Sequence, residues 1–532
     1  MAQKSPVFVR EATGLIRSFG FFDLIFLSLA GVNFLGALVS TLLYAPFYFP
    51  AANMPVVFAV GTLPAFAMAA VYGILSRAMP RSGGDYVWST RIMGPLYGIV
   101  QWVLLFFTLV ILIAEFIVIF PITVFLPQLL FSFGVTTNNP AIIAAASTVT
   151  QPIIGLTLNM IYLGVGIIIA FCSTKIFVRV QRLVWILYLA IAVILVVTLL
   201  SLNPSSTASL FDHAMQVAGS NATYSSVIQT ASSGGLTQGF NTGNTLLAIL
   251  PWGFFTFTGF EYSTYAAGEV KNAKTMITKA LVGAVVLMAT LLVITTMVSY
   301  SGIGSDFLNS ASYIVATNPS YLPTPPTITL IASLISPFLS LLIGVGIIVS
   351  ILIGISGMIL IQSRMIFAAS FDRILPQKLA DVNERFHSPH WAVLFVGACY
   401  AILLPLFWLT SYTAALLNLS LMVPIALALP FVATLVFPFK KPQLFAQTLG
   451  GKNEALKLVL LSVVCLVTFV IYTLCLIVPF NSGIYLGTSL SLAVEVVAAF
   501  VLVGIGLYVV ANYRLRRAGI DLRRVYDEIP PE

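Results

Sequence analysis

The chain has 532 residues, of which 59% are hydrophobic and 8% charged, with 25 Lys and Arg against 17 Asp and Glu. Soluble domains carry roughly a quarter charged residues, so the composition excludes an array of soluble domains. Four cysteines in apolar surroundings also exclude a disulfide-rich secreted scaffold. The composition is typical of an integral membrane protein.

Twelve segments contain enough apolar residues to cross a bilayer, for which a helix needs about 20. Lipid offers the backbone no hydrogen-bond partner, and the alternation typical of membrane β-barrels is absent. We therefore predict an all-α protein with twelve transmembrane helices. The predicted spans are residues 20–44, 56–76, 95–125, 153–173, 183–202, 246–267, 280–300, 329–363, 391–409, 414–437, 458–478 and 490–513.

The positive charges predict the orientation of these spans. Every Lys and Arg lies in the connecting segments on the side of the N-terminus, and none lies in the segments on the opposite side. By the positive-inside rule, both the N-terminal segment 1–19 and the tail 514–532 are cytoplasmic, and the loop 203–245 is extracellular. This distribution predicts a multi-pass protein of the cell membrane and explains the basic net charge without a nucleic-acid partner.

The first predicted span contains residues that weaken a helix at its centre, namely Gly31, Asn33 and Gly36. A glycine costs a helix about 1 kcal/mol relative to alanine, and a polar residue at membrane depth needs a partner. A broken helix that lines a cavity meets both conditions. The alternative is close packing of small residues between two intact helices.

The sixth predicted span combines Pro251, Gly253, Gly259 and Glu261, so a second break is expected there. An acid at this depth usually faces a cavity or a partner. The alternative is that Glu261 only binds backbone N–H groups that the break sets free. Breaks in the first and sixth spans are the positions that an inverted repeat of residues 20–202 and 246–437 would give. No repeat is visible residue by residue.

Three stretches resemble the amino acid–polyamine–organocation superfamily of transporters. They are residues 80–87, Pro-Arg-Ser-Gly-Gly-Asp-Tyr-Val, residues 254–272, and residues 364–389. The resemblance implies a five-plus-five inverted-repeat (LeuT-like) fold, with the helices of 438–513 outside the repeat. It also implies secondary active transport of amino acids or related amines by alternating access, without a cofactor.

The resemblance further implies where a substrate binds. Its carboxylate would meet N–H groups at the break of the first span, and its amine would meet carbonyls at the break of the sixth. Phe255 matches the position of an aromatic gate. Phe34 and Leu35 depart from the family's small Gly-Ser-Gly-like motif, and Asn33 is the candidate that replaces its polarity. The predicted binding residues are Val32, Asn33, Phe34, Leu35, Gly36, Phe255, Thr256, Phe257, Thr258 and Gly259.

The coupling ion, H⁺ or Na⁺, is left open. Glu261 and Glu115 are the candidate proton carriers, and Tyr188 stands where some proton-coupled relatives have a lysine. Ser350 and Ser356 are the candidate hydroxyl ligands for sodium, which would also need carbonyl oxygens.

The same sequence features bear on other classes of function, namely an enzyme and a membrane sensor. The three histidines and four cysteines are scattered, so an intramembrane enzyme or a metal site is not predicted. A membrane sensor that binds a substrate without moving it would share every feature above. Phe34, Phe255, Phe257 and Phe260 favour neutral amino acids. The alternative is a polyamine or cationic amino acid substrate, whose charge Glu115 and Glu261 could neutralise. The sequence does not decide whether the protein forms a homodimer.

Overall fold

The computed structural model describes residues 14–15, 17–114, 119–410, 422–481, 490–520 and 522–527. Within these ranges eleven helices are long and apolar enough to cross a membrane. The α-helices are α1 Phe21–Val32, α2 Phe34–Tyr48, α3 Met54–Ala78, α4 Asp85–Met93, α5 Pro95–Ile113, α6 Leu126–Thr136, α7 Pro140–Thr148, α8 Pro152–Phe171, α9 Thr174–Leu200, α10 Pro204–Val217, α11 Tyr224–Ser233, α12 Thr242–Ala248, α13 Ala273–Ser299, α14 Ser305–Thr317, α15 Ile328–Ser333, α16 Pro337–Phe371, α17 His390–Leu409, α18 Met422–Lys440, α19 Pro442–Thr448, α20 Lys452–Asn481, α21 Leu490–Arg517 and α22 Leu522–Asp527.

Local sequence signals set the beginnings of several long helices. The side chains of Asn53, Ser173 and Ser336 accept backbone N–H groups in the first turns of α3, α9 and α16. Pro95 and Pro152 each occupy the first position of a helix, where the missing N–H costs nothing. The helices α3, α5 and α8 begin within two residues of their predicted spans, whereas α9 begins nine residues before its predicted span and α16 begins eight residues inside it.

The sixth predicted span has no counterpart among the eleven candidate spans of the described residues. After α12 the chain is π-helical over Ile249–Phe254, 3₁₀-helical over Phe255–Phe257, and 3₁₀-helical again over Phe260–Glu269. Pro251 lacks the N–H that a regular helix needs. The structure therefore gives eleven candidate spans rather than the predicted twelve.

Two segments predicted as loops contain helices. The predicted extracellular loop 203–245 includes α10 and α11, and the segment after the seventh span includes α14. Reciprocal capping contacts join Asn203 to Ser206 and Thr223 to Ser226, and they explain why α10 and α11 begin where they do.

The interrupted helices lie at the centre of the bundle. The helix α1 packs against Phe260–Glu269, α13 and α16, and α3 packs along α13 and Ile249–Phe254. The middle and last turns of α16 are buried. By contrast, α20 and α21 present large exposed apolar side chains, including Leu460, Val467 and Leu502. The interruptions are thus enclosed by helices, and the bundle edge suits contact with lipid.

Both ends of the described chain meet at one end of the bundle. The N–H groups of Ser18 and Phe19 donate to the carbonyl of Glu269 at 2.8 and 3.1 Å. Close by, Gly83 just before α4 donates to the carbonyl of Tyr265 at 3.0 Å. We call this end, formed by Phe19, α4, the end of α16 and α22, the terminal face.

Candidate functional site

The first break lies at Asn33, between α1 and α2. Asn33 has φ 49° and ψ 71°, a left-handed conformation that asparagine tolerates better than most residues. Its side-chain oxygen Oδ1 accepts the N–H of Gly36 at 3.4 Å and so caps α2. One residue both ends the first helix and begins the second.

Tyr188 on α9 binds the polar groups that this break exposes. Its hydroxyl accepts the N–H of Leu35 at 2.7 Å and donates to Oδ1 of Asn33 at 2.8 Å. The Asn33 amide nitrogen Nδ2 is buried and has no hydrogen-bond partner among the described residues. The break therefore keeps one unused donor.

The second break lies at Thr258 and Gly259. Thr258 is extended, and Gly259 has φ +113°, which a residue with a side chain rarely adopts. Glu261 is fully buried, and its Oε2 accepts the N–H of Gly259 at 2.8 Å. One carboxylate oxygen thus binds an N–H that the break sets free, whereas Oε1 has no partner within the described chain.

The two breaks touch each other. A Cβ atom built on Gly31 would lie 2.4 Å from the carbonyl oxygen of Gly259, so only a hydrogen fits between them. Two pairs of hydroxyl groups also join the first broken helix to the second, one pair on each side of this contact. Thr41 and Thr256 are 3.0 Å apart, and Ser28 donates to Ser263 at 2.9 Å.

A cavity of about 90 Å³ lies beside the two breaks. Six of the ten predicted binding residues line it: Val32, Asn33, Gly36, Phe255, Thr256 and Thr258. The other four do not line it. Phe34 is buried against Tyr188, with ring centroids 5.9 Å apart, and Leu35, Phe257 and Gly259 are absent from the cavity wall.

Much of the cavity wall comes from residues that sequence reasoning missed. They lie on α5, on α18 and at the start of the second break, and they are mostly apolar. They include Leu105, Thr108, Leu109, Leu112, Ile113, Val423, Leu427 and Trp252. The α5 residues follow a helical period, but the same period is expected of a face packed on lipid or on another helix.

The remaining candidates have other surroundings. Glu115 lies outside the described residues. The hydroxyls of Ser350 and Ser356 donate to carbonyls of their own helix, those of Ile347 and Leu352, at 2.7 and 2.9 Å.

The terminal face is closed by a buried ion pair between Glu269 and Arg364. Arg364 Nε donates to Glu269 Oε1 at 2.7 Å, and Nη2 donates to Oε2 at 3.1 Å. Both side chains are fully buried, and the hydroxyl of Thr174 donates to Oε2 at 2.9 Å. This pair joins the end of the second broken helix to α16 and α9. The cavity lies on the other side of the breaks, along α2.

A second buried ion pair holds α4 against the end of α16. Arg91 Nη1 and Nη2 donate to the two oxygens of Asp372 at 2.6 and 2.9 Å. A third pair, between Asp23 on α1 and Arg182 on α9, is half-exposed on the arginine side. The residues 80–87 and 364–389 singled out in the sequence are therefore parts of the terminal face.

Asp85, at the start of α4, is a buried carboxyl held by two phenols. The hydroxyl of Tyr265 donates to Oδ1 at 2.5 Å, and that of Tyr72 donates to Oδ2 at 3.2 Å. Asp85 lies between α3 and α5, outside the membrane-spanning helices. Burial raises the pKa of this carboxyl to about 6, although the hydrogen bonds from Tyr265 and Tyr72 act in the opposite direction.

The raised pKa of Asp85 predicts a pH-dependent stability. The folded protein holds this proton more tightly than the unfolded chain, so the stabilisation is present at pH 4 and is lost as the pH rises through about 6. Replacing Asp85 by asparagine should remove a change of about 2–3 kcal/mol between pH 4 and 8. The measurement is the unfolding midpoint of both proteins in detergent across this range. The difference between the two plots of unfolding midpoint against pH gives the contribution of Asp85. Parallel plots would contradict the raised pKa assigned to Asp85.

Comparison with known proteins agrees with this architecture. The family model described as amino acid permease matches residues 19–507. The crystal structure of MhsT in complex with L-phenylalanine is similar with a TM-score of 0.54 and 12% identity, over 86% of this chain and 99% of that chain. None of the curated protein sequences matches the chain.

The family match extends from Phe19 at the terminal face to residues within α21, so it includes both breaks and the cavity. The structural similarity at 12% identity shows that the chain shares the fold of MhsT. The chain therefore belongs to the amino acid permease family of the amino acid–polyamine–organocation superfamily, a family of membrane transporters for amino acids.

Proposed function

We propose that the chain is a secondary active transporter that carries neutral amino acids by alternating access. The proposal includes a cytoplasmic terminal face, twelve spans, and inverted repeats over residues 20–202 and 246–437. The observation that carries it is the contact between two broken helices beside a mostly apolar cavity, which is lined by Asn33, a residue whose buried amide donor has no partner among the described residues. Broken helices at a repeat interface are the usual substrate sites of such transporters.

The substrate carboxylate is proposed to bind at the beginning of α2. A helix N-terminus attracts an anion through its free N–H groups and its dipole. Tyr188 already binds the N–H of Leu35, and Asn33 caps that of Gly36, so fewer backbone donors remain than in an open helix end. Asn33 Nδ2 is buried, lacks a partner among the described residues and belongs to a residue of the cavity wall. We assign to it the main hydrogen bond to the carboxylate.

The substrate amine is proposed to meet the carbonyl groups of the second break, between Phe255 and Thr258. The carbonyl of Phe255 already accepts the N–H and the hydroxyl of Thr258, but the 3₁₀ turn ends at Phe257 and the chain then becomes extended, so the helical pattern of acceptors stops there. The ring of Phe255 lies on the cavity wall and can stack over an ammonium group. Thr256 and Thr258 supply further oxygen atoms.

The mostly apolar walls of the cavity favour a substrate with a neutral side chain. MhsT, which shares the fold, is described in complex with L-phenylalanine. Glu261 does not line the cavity, and one of its oxygens binds the backbone of Gly259. This arrangement favours neutral substrates over polyamines and cationic amino acids.

Glu261 is the proposed site of proton coupling. Its Oε1 is buried without a partner in the described part of the chain, directly beside the break that must change shape during transport. A charge at this depth is costly unless it is paired or protonated. Sodium coupling through Ser350 and Ser356 is the alternative, because each hydroxyl donates within its own helix and keeps oxygen lone pairs for a cation.

The test is uptake by purified protein in liposomes. A panel of labelled neutral, acidic and basic amino acids is offered with and without a pH or sodium gradient. Accumulation of neutral amino acids is expected, driven by the pH gradient. Binding of an amino acid without accumulation or exchange would identify a sensor and would overturn the proposed transport function.

Replacing Asn33 by aspartate tests the substrate site. Aspartate keeps the oxygen that binds Tyr188 and caps α2, but it replaces the Nδ2 donor by a second oxygen that repels a carboxylate. The KM for uptake should rise about tenfold to hundredfold, the range for losing a hydrogen bond to a charged group. Asn139→Asp is the matched control, since Asn139 is an exposed cap of α7. Unchanged KM in Asn33→Asp would remove Asn33 from the binding site.

A further inference from the structure

The C-terminal helix α22 is docked on the terminal face. Leu522, Val525 and Tyr526 are 2%, 0% and 3% exposed. A helix of six residues has no stability of its own in water, so contacts with the rest of the protein must hold it in place.

Tyr526 supplies the most specific of these contacts. Its ring lies under the guanidinium of Arg91, with Cζ 4.9 Å from the ring centroid, and its hydroxyl is 3.1 Å from that of Tyr86. The Tyr86 hydroxyl also donates to Asp372 Oδ2 at 2.9 Å, and Asp372 is paired with Arg91. Tyr526 thus completes a buried cluster of two phenols, a guanidinium and a carboxylate.

This cluster is adjacent to the contacts that close the terminal face. Tyr86 and Asp85 are consecutive residues at the start of α4. Tyr86 contacts Tyr526 on one side, whereas Asp85 accepts the hydroxyl of Tyr265 in the second broken helix on the other. The position of α4 therefore determines both contacts, and anything that holds α4 also holds the end of the broken helix.

A further contact ties the chain before α22 to the end of α16. Arg514, in the last turn of α21, donates through Nη2 to the carbonyls of Arg373 and Ile374 at 2.6 and 3.1 Å. The last part of the chain is therefore attached to the terminal face at two places.

We propose that α22 is a latch that keeps the terminal face closed by holding α4 through the contacts of Tyr526 with Arg91 and Tyr86. Release of α22 lets α4 move away from the broken helix and shifts the protein towards the state open at the terminal face. The inference uses the alternating access of the proposed function, but its test measures opening alone and needs no substrate.

The test is the labelling rate of a cysteine behind the closed face. Ser28 on α1 is fully buried and binds Ser263 in the second broken helix. Ser28→Cys is introduced into the full-length protein with its four cysteines replaced by alanine, and a maleimide is added in detergent. Tyr526→Ala should accelerate labelling about tenfold, equivalent to about 1.4 kcal/mol. Tyr526→Phe, which keeps the ring but loses the hydroxyl, should give a smaller increase.

Tyr513→Ala is the matched control, because Tyr513 is 57% exposed and its ring lies 4.5 Å from Arg517 Cζ. It removes the same kind of arginine–tyrosine contact outside the cluster and should leave the labelling rate unchanged. Ser132→Cys, at a fully buried position on α6, reports general unfolding. Equal rates at Ser28→Cys in all variants would overturn the latch, as would a parallel increase at Ser132→Cys. If transport is absent but Tyr526→Ala selectively accelerates labelling, the latch stands and the proposed function fails.

Discussion

Replacing Gly31 by alanine is expected to reduce uptake about tenfold to hundredfold, corresponding to a cost of about 1–3 kcal/mol for inserting a methyl group into a filled space. The added Cβ would lie 2.4 Å from the carbonyl oxygen of Gly259, which is backbone and cannot rotate away. The two breaks must then separate, and the cavity wall changes with them. Uptake by purified protein in liposomes measures the effect, and the unfolding midpoint in detergent should fall in parallel.

The control for this substitution is Gly164→Ala on α8. A Cβ at Gly164 meets no described atom within 4 Å, so the change tests alanine in a membrane helix without a clash. Alanine favours a helix over glycine by about 1 kcal/mol, so this variant should be as stable as the parent protein or more stable. Uptake by Gly31→Ala equal to that of Gly164→Ala would show that the contact between the breaks is not needed for transport.

The positions of both breaks could be predicted from the sequence, because residues that weaken helices are confined to short stretches of two apolar spans. Asn33 and Gly259 adopt the positive φ angles that their residue types tolerate. Pro251 likewise lies where the helix becomes irregular. These are local properties of the chain, so they are visible without knowledge of the packing.

The direction of side chains at the breaks could not be predicted. Phe34 is a predicted binding residue, but it follows the left-handed residue Asn33, packs against Tyr188 and does not line the cavity. A regular helical period cannot be extended across such a residue. The wall formed by Leu105 and Leu109 was missed for another reason, since an apolar side chain facing a cavity has the same sequence signature as one facing lipid.

The closure of the terminal face depends on contacts between distant residues. Glu269 and Arg364 are 95 positions apart, and Tyr86 and Tyr526 are 440 apart. The sequence places these residues in the charged segments on one side of the membrane, which is enough to expect them at one end of the bundle. Which acid meets which base is decided by the arrangement of the helices.

Breaking the Glu269–Arg364 pair is expected to have the largest effect on stability. Glu269→Gln leaves the fully buried guanidinium of Arg364 without its counter-charge, and such a loss costs about 3–5 kcal/mol. The end of the second broken helix also loses its attachment to α16, so the terminal face should open more readily. Unfolding in detergent measures the first effect, and labelling of Ser28→Cys measures the second.

The matched control is Glu454→Gln, because Glu454 forms an ion pair with Arg77 at 3.5 Å in which both side chains are more than one-third exposed. Exposed pairs contribute about 0–1 kcal/mol, so this variant should unfold like the parent protein. The double variant Glu269→Gln with Arg364→Met removes both buried charges and should recover part of the stability lost in Glu269→Gln. The single variant Arg364→Met gives the comparison. If the losses of stability in Glu269→Gln and Arg364→Met simply add up in the double variant, the two side chains act independently. In that case the pair would not be what closes the terminal face.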